Sequence, residues 1–361
     1  MGEIWVLGAT GRSGRMIAAQ LVARGQSPVL LGRDPARLAV VADRIASEHG
    51  DRPRTRFMAS LQTLLADLAA SRPTVVVNTI GPFTRTAVPI AAACPPGTHY
   101  VDLANELPAV TGLLALHQMA VDEGRSIVPG AGFGVVAGDT VVRALCEGRP
   151  VPQWVRVDAV PAVDIEAGPL GEALAATILD GFPAGGRRYE DHRLVDAPLG
   201  SGQERLVLPD GSIVTTAAIP FGDLEAAHRA SGAPSVVSAS SEAPTGRAMP
   251  YLLPVVARLL SWDPLRALVI RRVAGIRLRP RTRAREFSYA HVRVEWTDGT
   301  TRDGWLRTGE ASAFTAAAAT EVAVRLTRGE GRAGAHTPGE LFGPQLAVDI
   351  GAELMVDEGQ P

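Results

Sequence analysis

Three glycines near the start of the chain have the spacing of a turn that binds phosphate groups. Gly8, Gly11 and Gly14 follow the apolar run 3–7 and precede a segment with helical apolar spacing. The first two let the backbone turn sharply towards phosphate oxygens, and the third lets the helix pack closely and point its positive dipole end at the anion. The sequence therefore predicts a binding site for a dinucleotide pyrophosphate. The predicted binding residues of this turn are Gly8, Thr10, Gly11, Arg12, Ser13 and Gly14.

Arg33 indicates which dinucleotide is bound. It ends the second predicted strand, where NAD enzymes usually carry an acidic residue for the ribose 2′-hydroxyl. A guanidinium instead suits a 2′-phosphate. Asp34 follows one position too late for the ribose and fits an N-cap of the helix 36–46. NADP(H) is therefore the predicted cofactor, with Arg37 as a second contact; the alternative is that Arg33 is an ordinary surface residue.

Tyr100 and Asp102 are the predicted catalytic residues. They end the strand 98–102, at the same edge of the predicted sheet as the glycine turn. Tyr100 could donate a proton or a hydrogen bond, and Asp102 could hold a cationic imine or a ribose hydroxyl. The alternative is that both residues are structural.

A loop after the strand 74–78 is predicted to lie beside the nicotinamide, because strand order reverses there in open sheets of this type. Phe83 either flanks the nicotinamide ring or is an ordinary core aromatic. Phe133 and Asp139 are candidate substrate-binding residues, although Asp139 could equally be a charge at a helix start. The predicted cofactor contacts of the loop are Thr79, Gly81, Pro82 and Phe83.

The elements around these residues alternate between short apolar strands and helices up to residue 129, among them a strand at 56–58 and a helix over 106–122. The glycine-rich segment 130–134 predicts a hinge, which a linking helix over 139–146 follows. Six parallel strands are expected, the pattern of a doubly wound α/β sheet of the Rossmann type.

A second α+β domain, for substrate binding and dimerisation, is expected before the C-terminal return. Its predicted strands are 154–160, 206–208, 213–218 and 288–296, and a hairpin turn at 298–299 follows the last of them. The predicted domains are 1–130 for the dinucleotide, 131–330 for the second domain and 331–361 for a tail that returns to the first.

Composition narrows the functional classes. The net charge of −2 gives no general attraction to nucleic acid, so no such partner is predicted. The two cysteines make neither a disulfide framework nor a metal cluster, and no metal is predicted. We expect a cytoplasmic protein without a secretory leader or a transmembrane segment, and a homodimer as a possible assembly.

Every basic residue except histidine is arginine, because the sequence contains no lysine. Mechanisms that need a lysine Schiff base, a lysine general acid or a Tyr-x-x-x-Lys pair are therefore excluded. Arginine also occupies every second position from 277 to 285, which on a strand would line one face with positive charge. Such a face either meets solvent or recruits an anionic partner.

Five segments resemble a known family. They are 8–11 with 32–33, 78–83, 97–103 and 130–134. These segments are similar to the saccharopine dehydrogenase-like NADP-binding reductases, including the trans-acting enoyl reductases. The resemblance implies hydride transfer to an imine or a carbon–carbon double bond. True saccharopine dehydrogenases use lysine in the site, so saccharopine itself is not the expected substrate.

The sequence thus predicts an NADPH-dependent reductase that acts on an imine or an activated C=C bond of a small metabolite. One alternative is a trans-acting enoyl reductase that acts on a thioester or carrier-bound substrate. A different class remains open, a regulatory protein that senses NADP without turnover, because folds of this type do not by themselves imply catalysis.

Overall fold

A computed structural model of the chain describes residues 2–164, 168–169, 185–243, 262–275, 277–278 and 285–356. The chain divides into two compact units. Met1–Val136 and Ser312–Leu346 form the first unit, and Ala137–Ala311 and Ala347–Pro361 form the second. Most of the arginine-alternating segment, residues 279–284, lies outside the described residues.

Strands and helices alternate through the first part of the chain. The strands are β1 (Ile4–Leu7), β2 (Val29–Gly32), β3 (Arg54–Phe57), β4 (Val75–Asn78), β5 (His99–Asp102) and β6 (Ser126–Val128). The helices are α1 (Arg12–Ala23), α2 (Pro35–His49), α3 (Leu61–Ser71), α4 (Phe83–Ala93), α5 (Leu107–Leu114), α6 (His117–Asp122) and α7 (Phe133–Cys146).

The middle of the chain is rich in strands. Its strands are β7 (Trp154–Val160), β8 (Gly168–Pro169), β9 (Gly186–Glu190), β10 (Arg193–Ala197), β11 (Glu204–Val207), β12 (Ile213–Ala218), β13 (Ser235–Ser240), β14 (Arg277–Leu278), β15 (Ser288–Glu295) and β16 (Thr301–Thr308). Its helices are α8 (Gly222–Ser231) and α9 (Asp263–Ala274). The remaining elements are α10 (Ala311–Thr327), β17 (Gly334–Ala335), α11 (Pro338–Phe342), α12 (Gln345–Asp349) and β18 (Glu353–Val356).

The sheet of the first unit confirms the predicted doubly wound α/β fold. Its order is β17-β6-β5-β4-β1-β2-β3, and each neighbouring pair is parallel. Strands β1, β2 and β4 are buried along their whole length, as expected when helices cover both faces of a parallel sheet. Because β2 and β4 lie on opposite sides of β1, strand order reverses there and leaves a crevice at the carboxyl ends of β1 and β4.

Several element boundaries differ from the sequence-based expectation. The apolar residues predicted a strand at 56–58, but β3 spans Arg54–Phe57. It is an edge strand whose side chains are mostly exposed, so polar residues can form part of it. The helix predicted over 106–122 is two helices, α5 and α6. The linking helix begins at Phe133 and not at Asp139. The glycines 130–134 predict a hinge into the second domain, and the division between the two units falls just after them, between Val136 and Ala137. Gly132 also allows close packing, because a Cβ there would lie 2.9 Å from Thr315.

The second unit is built on a mixed sheet, in the order β10-β9-β13-β7-β15-β16-β18 with β12 pairing β13 and β11 pairing β12. Turn residues 298–299 join β15 to β16 as the sequence predicted, and Gly299 has a φ of 86°. Strands β9, β10, β13 and β18 were not predicted. In the C-terminal tail, β17 pairs with β6 and β18 pairs with β16.

Candidate functional site at the carboxyl edge of the parallel sheet

The glycine turn between β1 and α1 is as tight as its sequence predicts. Gly8 has a φ of 75°, in the region that favours glycine. A Cβ atom added at Gly14 would lie 2.5 Å from the carbonyl oxygen of Gly8, and one at Gly11 would lie 3.2 Å from the same oxygen. Any side chain at Gly14 would therefore push α1 away from β1.

The N-terminus of α1 is prepared for an anion. Its N-cap is Gly11, and no side chain among the described residues caps it. The first N–H groups of a helix have no partner within the helix, and they favour negative charge. Helix α2 differs, because the side chain of Asp34 accepts a hydrogen bond from the Arg37 amide. This confirms that Asp34 is a helix cap, as its position before a proline predicted.

Arg33 and Arg37 lie exposed at the end of β2 and in the first turn of α2. Neither guanidinium forms an ion pair with any of the described residues. Arg12 and Arg15 belong to the first turn of α1, and Arg15 donates a hydrogen bond to the Thr10 carbonyl oxygen. Positive charge is thus concentrated where a dinucleotide phosphate would lie.

The loop after β4 is tied to the glycine turn. The Thr79 hydroxyl donates to the Leu7 carbonyl oxygen at 2.7 Å, and its oxygen would contact a Cβ at Gly8. Pro82 is the N-cap of α4, again without a side-chain cap among the described residues. Phe83 starts α4 and is half-buried. The structure therefore brings Thr79, Gly81, Pro82 and Phe83 to the crevice side of β4.

Tyr100 and Asp102 are buried with no exposed surface. The Asn78 side-chain amide donates to the Tyr100 hydroxyl, and that hydroxyl donates to Asp102 Oδ2, both at 2.9 Å. The second carboxylate oxygen, Oδ1, accepts from the backbone amides of Ala104 and Gly130 at 3.0 Å. The chain of hydrogen bonds joins the loops that follow β4, β5 and β6, and neither side chain reaches solvent.

Burial shifts the pKa values of the two ionisable residues in this hydrogen-bond network. Desolvation raises the pKa of Asp102 to about 6, although the hydrogen bonds that it accepts oppose the rise. Desolvation, followed by the nearby Asp102 charge, raises the pKa of Tyr100 well above its ordinary value. Tyr100 is therefore a neutral hydrogen-bond donor at physiological pH and not a ready acid.

The two predicted substrate residues have separate environments. Phe133 is buried, its ring meets Phe314 edge to face at 6.2 Å, and its amide donates to the Thr315 hydroxyl. Asp139 is fully buried in the second unit and forms an ion pair with Arg143 at 2.8 Å. The substrate role of both residues stays a prediction.

Three polar residues at this edge were missed by the sequence-based reasoning. Asn78 ends the apolar strand β4, and that one polar residue within a buried run was the available signal. Asn105 and Glu106 follow β5 in the loop before α5. Only the contacts described below distinguish them from ordinary loop residues.

Among the described residues, no cluster of three or more His, Cys, Asp and Glu side chains could hold a metal ion. Within the same residues, no helix combines the length and the apolarity that a membrane crossing needs.

The chain is similar to curated proteins that are named trans-acting enoyl reductases. A trans-acting enoyl reductase of Mycobacterium ulcerans (strain Agy99) is 37% identical over 147 residues, which cover 40% of this chain and 35% of that protein. A putative trans-acting enoyl reductase of Mycobacterium tuberculosis (strain ATCC 25618 / H37Rv) is also 37% identical over 147 residues, with the same coverage. The chain thus matches about a third of the length of these relatives. No protein-family model matches it, so the wider saccharopine dehydrogenase-like assignment stays a prediction.

Among solved structures, a short-chain dehydrogenase from Sphingobium yanoikuyae in complex with NADPH aligns with a TM-score of 0.31 and 16% identity. The alignment covers 36% of this chain and 71% of that one. A likeness this weak carries no functional inference.

Proposed function

We propose that this chain is an NADPH-dependent enoyl reductase that acts on a thioester presented by coenzyme A or a carrier protein. The observation that carries the proposal is the 37% identity over 147 residues to trans-acting enoyl reductases. The glycine turn and the charge pattern of the carboxyl edge support it independently. Both are features that a reductase with a phosphorylated dinucleotide needs.

The residues at the edge fit NADPH. The uncapped start of α1 and the close approach at Gly8 and Gly14 suit the pyrophosphate. Arg33 and Arg37, exposed and without acidic partners among the described residues, would bind the 2′-phosphate. Thr79, Gly81, Pro82 and Phe83 would border the nicotinamide, and Phe83 would lie against its ring.

When bound, NADPH would supply a hydride from C4 of its nicotinamide to the β-carbon of the thioester, and a proton taken up from solvent would complete the reduction at the α-carbon, which leaves NADP⁺. The chain's own contribution is to hold the two partners together and to exclude water. Tyr100 and Asp102 are positioning residues in this proposal, because their polar atoms are already paired with one another and with loop amides.

Burial of Asp102 favours the enoyl reaction over imine reduction. An imine reductase was predicted to use this carboxylate to stabilise a cationic iminium. Both carboxylate oxygens already accept hydrogen bonds, from the Tyr100 hydroxyl and from two backbone amides, so the buried carboxylate is not available to pair with a cationic substrate. The thioester reaction needs no such anion.

The test is NADPH oxidation, followed by its absorbance, with α,β-unsaturated thioesters of coenzyme A and with cyclic imines. We expect turnover of the thioester and none of the imine. Turnover of the imine would contradict the thioester as the proposed substrate. NADPH binding without turnover of either compound would support the alternative of a non-catalytic NADP sensor.

The cofactor is tested separately with Arg33→Ala. This variant should weaken NADPH binding by about 1 to 3 kcal/mol and leave NADH binding unchanged, because only NADPH carries the 2′-phosphate. Arg44→Ala is the matched control, since Arg44 is an exposed arginine of α2, the helix that follows Arg33, and pairs with Glu48. Equal losses for both cofactors would contradict the assignment of Arg33.

A further inference from the structure

Two acceptor oxygens on consecutive residues lie buried and unpaired in the loop after β5. Asn105 Oδ1 and Glu106 Oε1 have no hydrogen-bond partner among the described residues. The other carboxylate oxygen of Glu106 accepts a hydrogen bond from the Asn105 amide at 3.1 Å. A buried polar atom without a partner reduces the stability of the folded chain, and such atoms are few in native proteins. Two in neighbouring residues therefore need a cause.

The surrounding backbone holds the Asn105 side chain in place. A Cβ atom at Gly134 would lie 2.2 Å from Asn105 Oδ1, so only glycine at that position leaves room for the amide. The amide is thus fitted against the start of α7, where Gly134 is the second residue. The absence of a side chain at Gly134 is thus what allows the amide to occupy this position.

Glu106 occupies the N-cap position of α5 but does not cap it. No side-chain cap bond closes this helix among the described residues, and the carboxylate instead leaves Oε1 unpaired. Both side chains are half-buried, at the carboxyl end of the strand next to β4. This is the side of the crevice on which the nicotinamide and the substrate are proposed to lie.

We propose that Asn105 and Glu106 form a subsite that accepts amide N–H groups of a bound ligand. Both unpaired atoms are acceptors, so the ligand supplies donors. Within the proposed function, on which this inference rests, two amides qualify: the carboxamide of the nicotinamide and the amides of a pantetheine arm. They share the chemistry that the subsite recognises.

Two substitutions test the subsite in the full chain. Glu106→Gln keeps the shape of the side chain and replaces the unpaired acceptor with a donor. Asn105→Leu keeps the volume and removes the acceptor. Glu330→Gln is the matched control, because Glu330 is an exposed residue of the first unit.

Each variant is measured against pairs of ligands that differ in the amide alone. For the cofactor, the pair is NADPH and its acetylpyridine analogue, in which a methyl group replaces the amide nitrogen. For the substrate, the pair is a crotonyl thioester of N-acetylcysteamine, which carries one pantetheine amide, and one of 5-sulfanylpentan-2-one, in which a methylene replaces the amide N–H. We expect the wild type to prefer the amide-bearing member of one pair by about tenfold or more, and both variants to lose that preference.

The outcomes separate the two sources and the two proposals. Lost preference between the cofactors assigns the subsite to the nicotinamide, and lost preference between the thioesters assigns it to the pantetheine. Preferences unchanged in both variants overturn the inference and leave the proposed function standing. A wild type that binds no NADPH overturns both.

The melting temperature excludes a purely structural role. Asn105→Leu removes an unpaired buried oxygen, so the ligand-free variant should melt no lower than the wild type while ligand preference falls. A lower melting temperature with unchanged preference would assign the residue to folding and overturn the subsite.

Discussion

Helices that begin at the carboxyl edge of the parallel sheet start in two different ways. Helices α2 and α3 are closed by their own side chains: Asp34 caps the first, and Ser60 forms a capping box with Thr63 in the second. Helices α1, α4 and α5 have no side-chain cap among the described residues. Their N-cap residues are Gly11, Pro82 and Glu106.

The difference follows position in the sheet. The capped helices come after β2 and β3, at one side of the sheet, and the uncapped ones come after β1, β4 and β5, which lie together around the crevice. An uncapped start leaves N–H groups and a positive dipole available to a ligand, whereas a capped start is complete without one. The helix starts without a side-chain cap therefore lie on the central strands, where the proposed function places the ligand.

The largest expected effect comes from filling the turn before α1. Gly14→Val places a branched side chain within 2.5 Å of the Gly8 carbonyl oxygen, so α1 must move from its place against β1. We expect NADPH affinity to fall more than about a hundredfold, or about 2.8 kcal/mol, in an equilibrium titration. Gly309→Val is the control, because a Cβ at Gly309 meets no atom within 4 Å. Full affinity in Gly14→Val would break the link between the uncapped start and the ligand.

The sequence predicted the parallel sheet because each buried strand is a short apolar run bounded by turn residues. The glycine turn and the cap at Asp34 were predictable for the same reason, since both depend on neighbours in sequence. Strand β3 was shifted because its edge position lets polar residues pair as well as apolar ones. Strands β9 and β10 were missed because their partly charged residues lack the apolar pattern of a buried strand.

The site was less predictable than the fold. The sequence placed Tyr100 and Asp102 at the correct edge, but it could not show that Asn78 and the Gly130 amide occupy their polar atoms. Those contacts join residues that are far apart in the chain. Asn105 and Glu106 gave no signal, because an unpaired oxygen becomes visible only when the surrounding atoms are in place.

On the β5 side of the crevice, Asp102 accepts hydrogen bonds from backbone amides in the loops before α5 and α7. Burial raises the pKa of Asp102 to about 6, above its value of about 4 in the unfolded chain. Protonated Asp102 therefore favours the folded chain, and this contribution to stability is complete below about pH 4 and is lost as pH rises through 6. The loss amounts to about 3 kcal/mol. Asp102→Asn should therefore remove a corresponding fall in unfolding free energy between about pH 4 and pH 7.

That measurement compares the pH dependence of wild type and variant in denaturant titrations, so a constant difference in stability does not affect it. Other carboxylates, such as Asp158 with its lowered pKa, contribute equally to both proteins. Parallel curves for the two proteins would show that the hydrogen bonds to Asp102 fully offset the effect of its burial, which would contradict the raised pKa.

Tyr100→Phe separates positioning from direct catalysis. The variant leaves the Asn78 amide and Asp102 Oδ2 buried without their shared partner, at a cost of about 1 to 3 kcal/mol in unfolding free energy. Tyr289→Phe is the matched control, because its hydroxyl makes a 3.3 Å contact with the largely exposed Asp210 and its loss should cost less. A large fall in turnover with unchanged stability would instead make Tyr100 a catalytic residue.

The smallest effect concerns a capped helix and completes the comparison. The Ser60 hydroxyl accepts from the Thr63 amide at 3.2 Å, and the Thr63 hydroxyl accepts from the Ser60 amide at 3.0 Å. Ser60→Ala removes half of this capping box, so we expect a loss of about 1 kcal/mol in unfolding free energy. NADPH affinity should not change, because α3 begins beyond β3, at the edge of the sheet. Weaker NADPH binding in this variant would show that capped starts also serve the ligand, and the distinction between the two groups of helices would then fail.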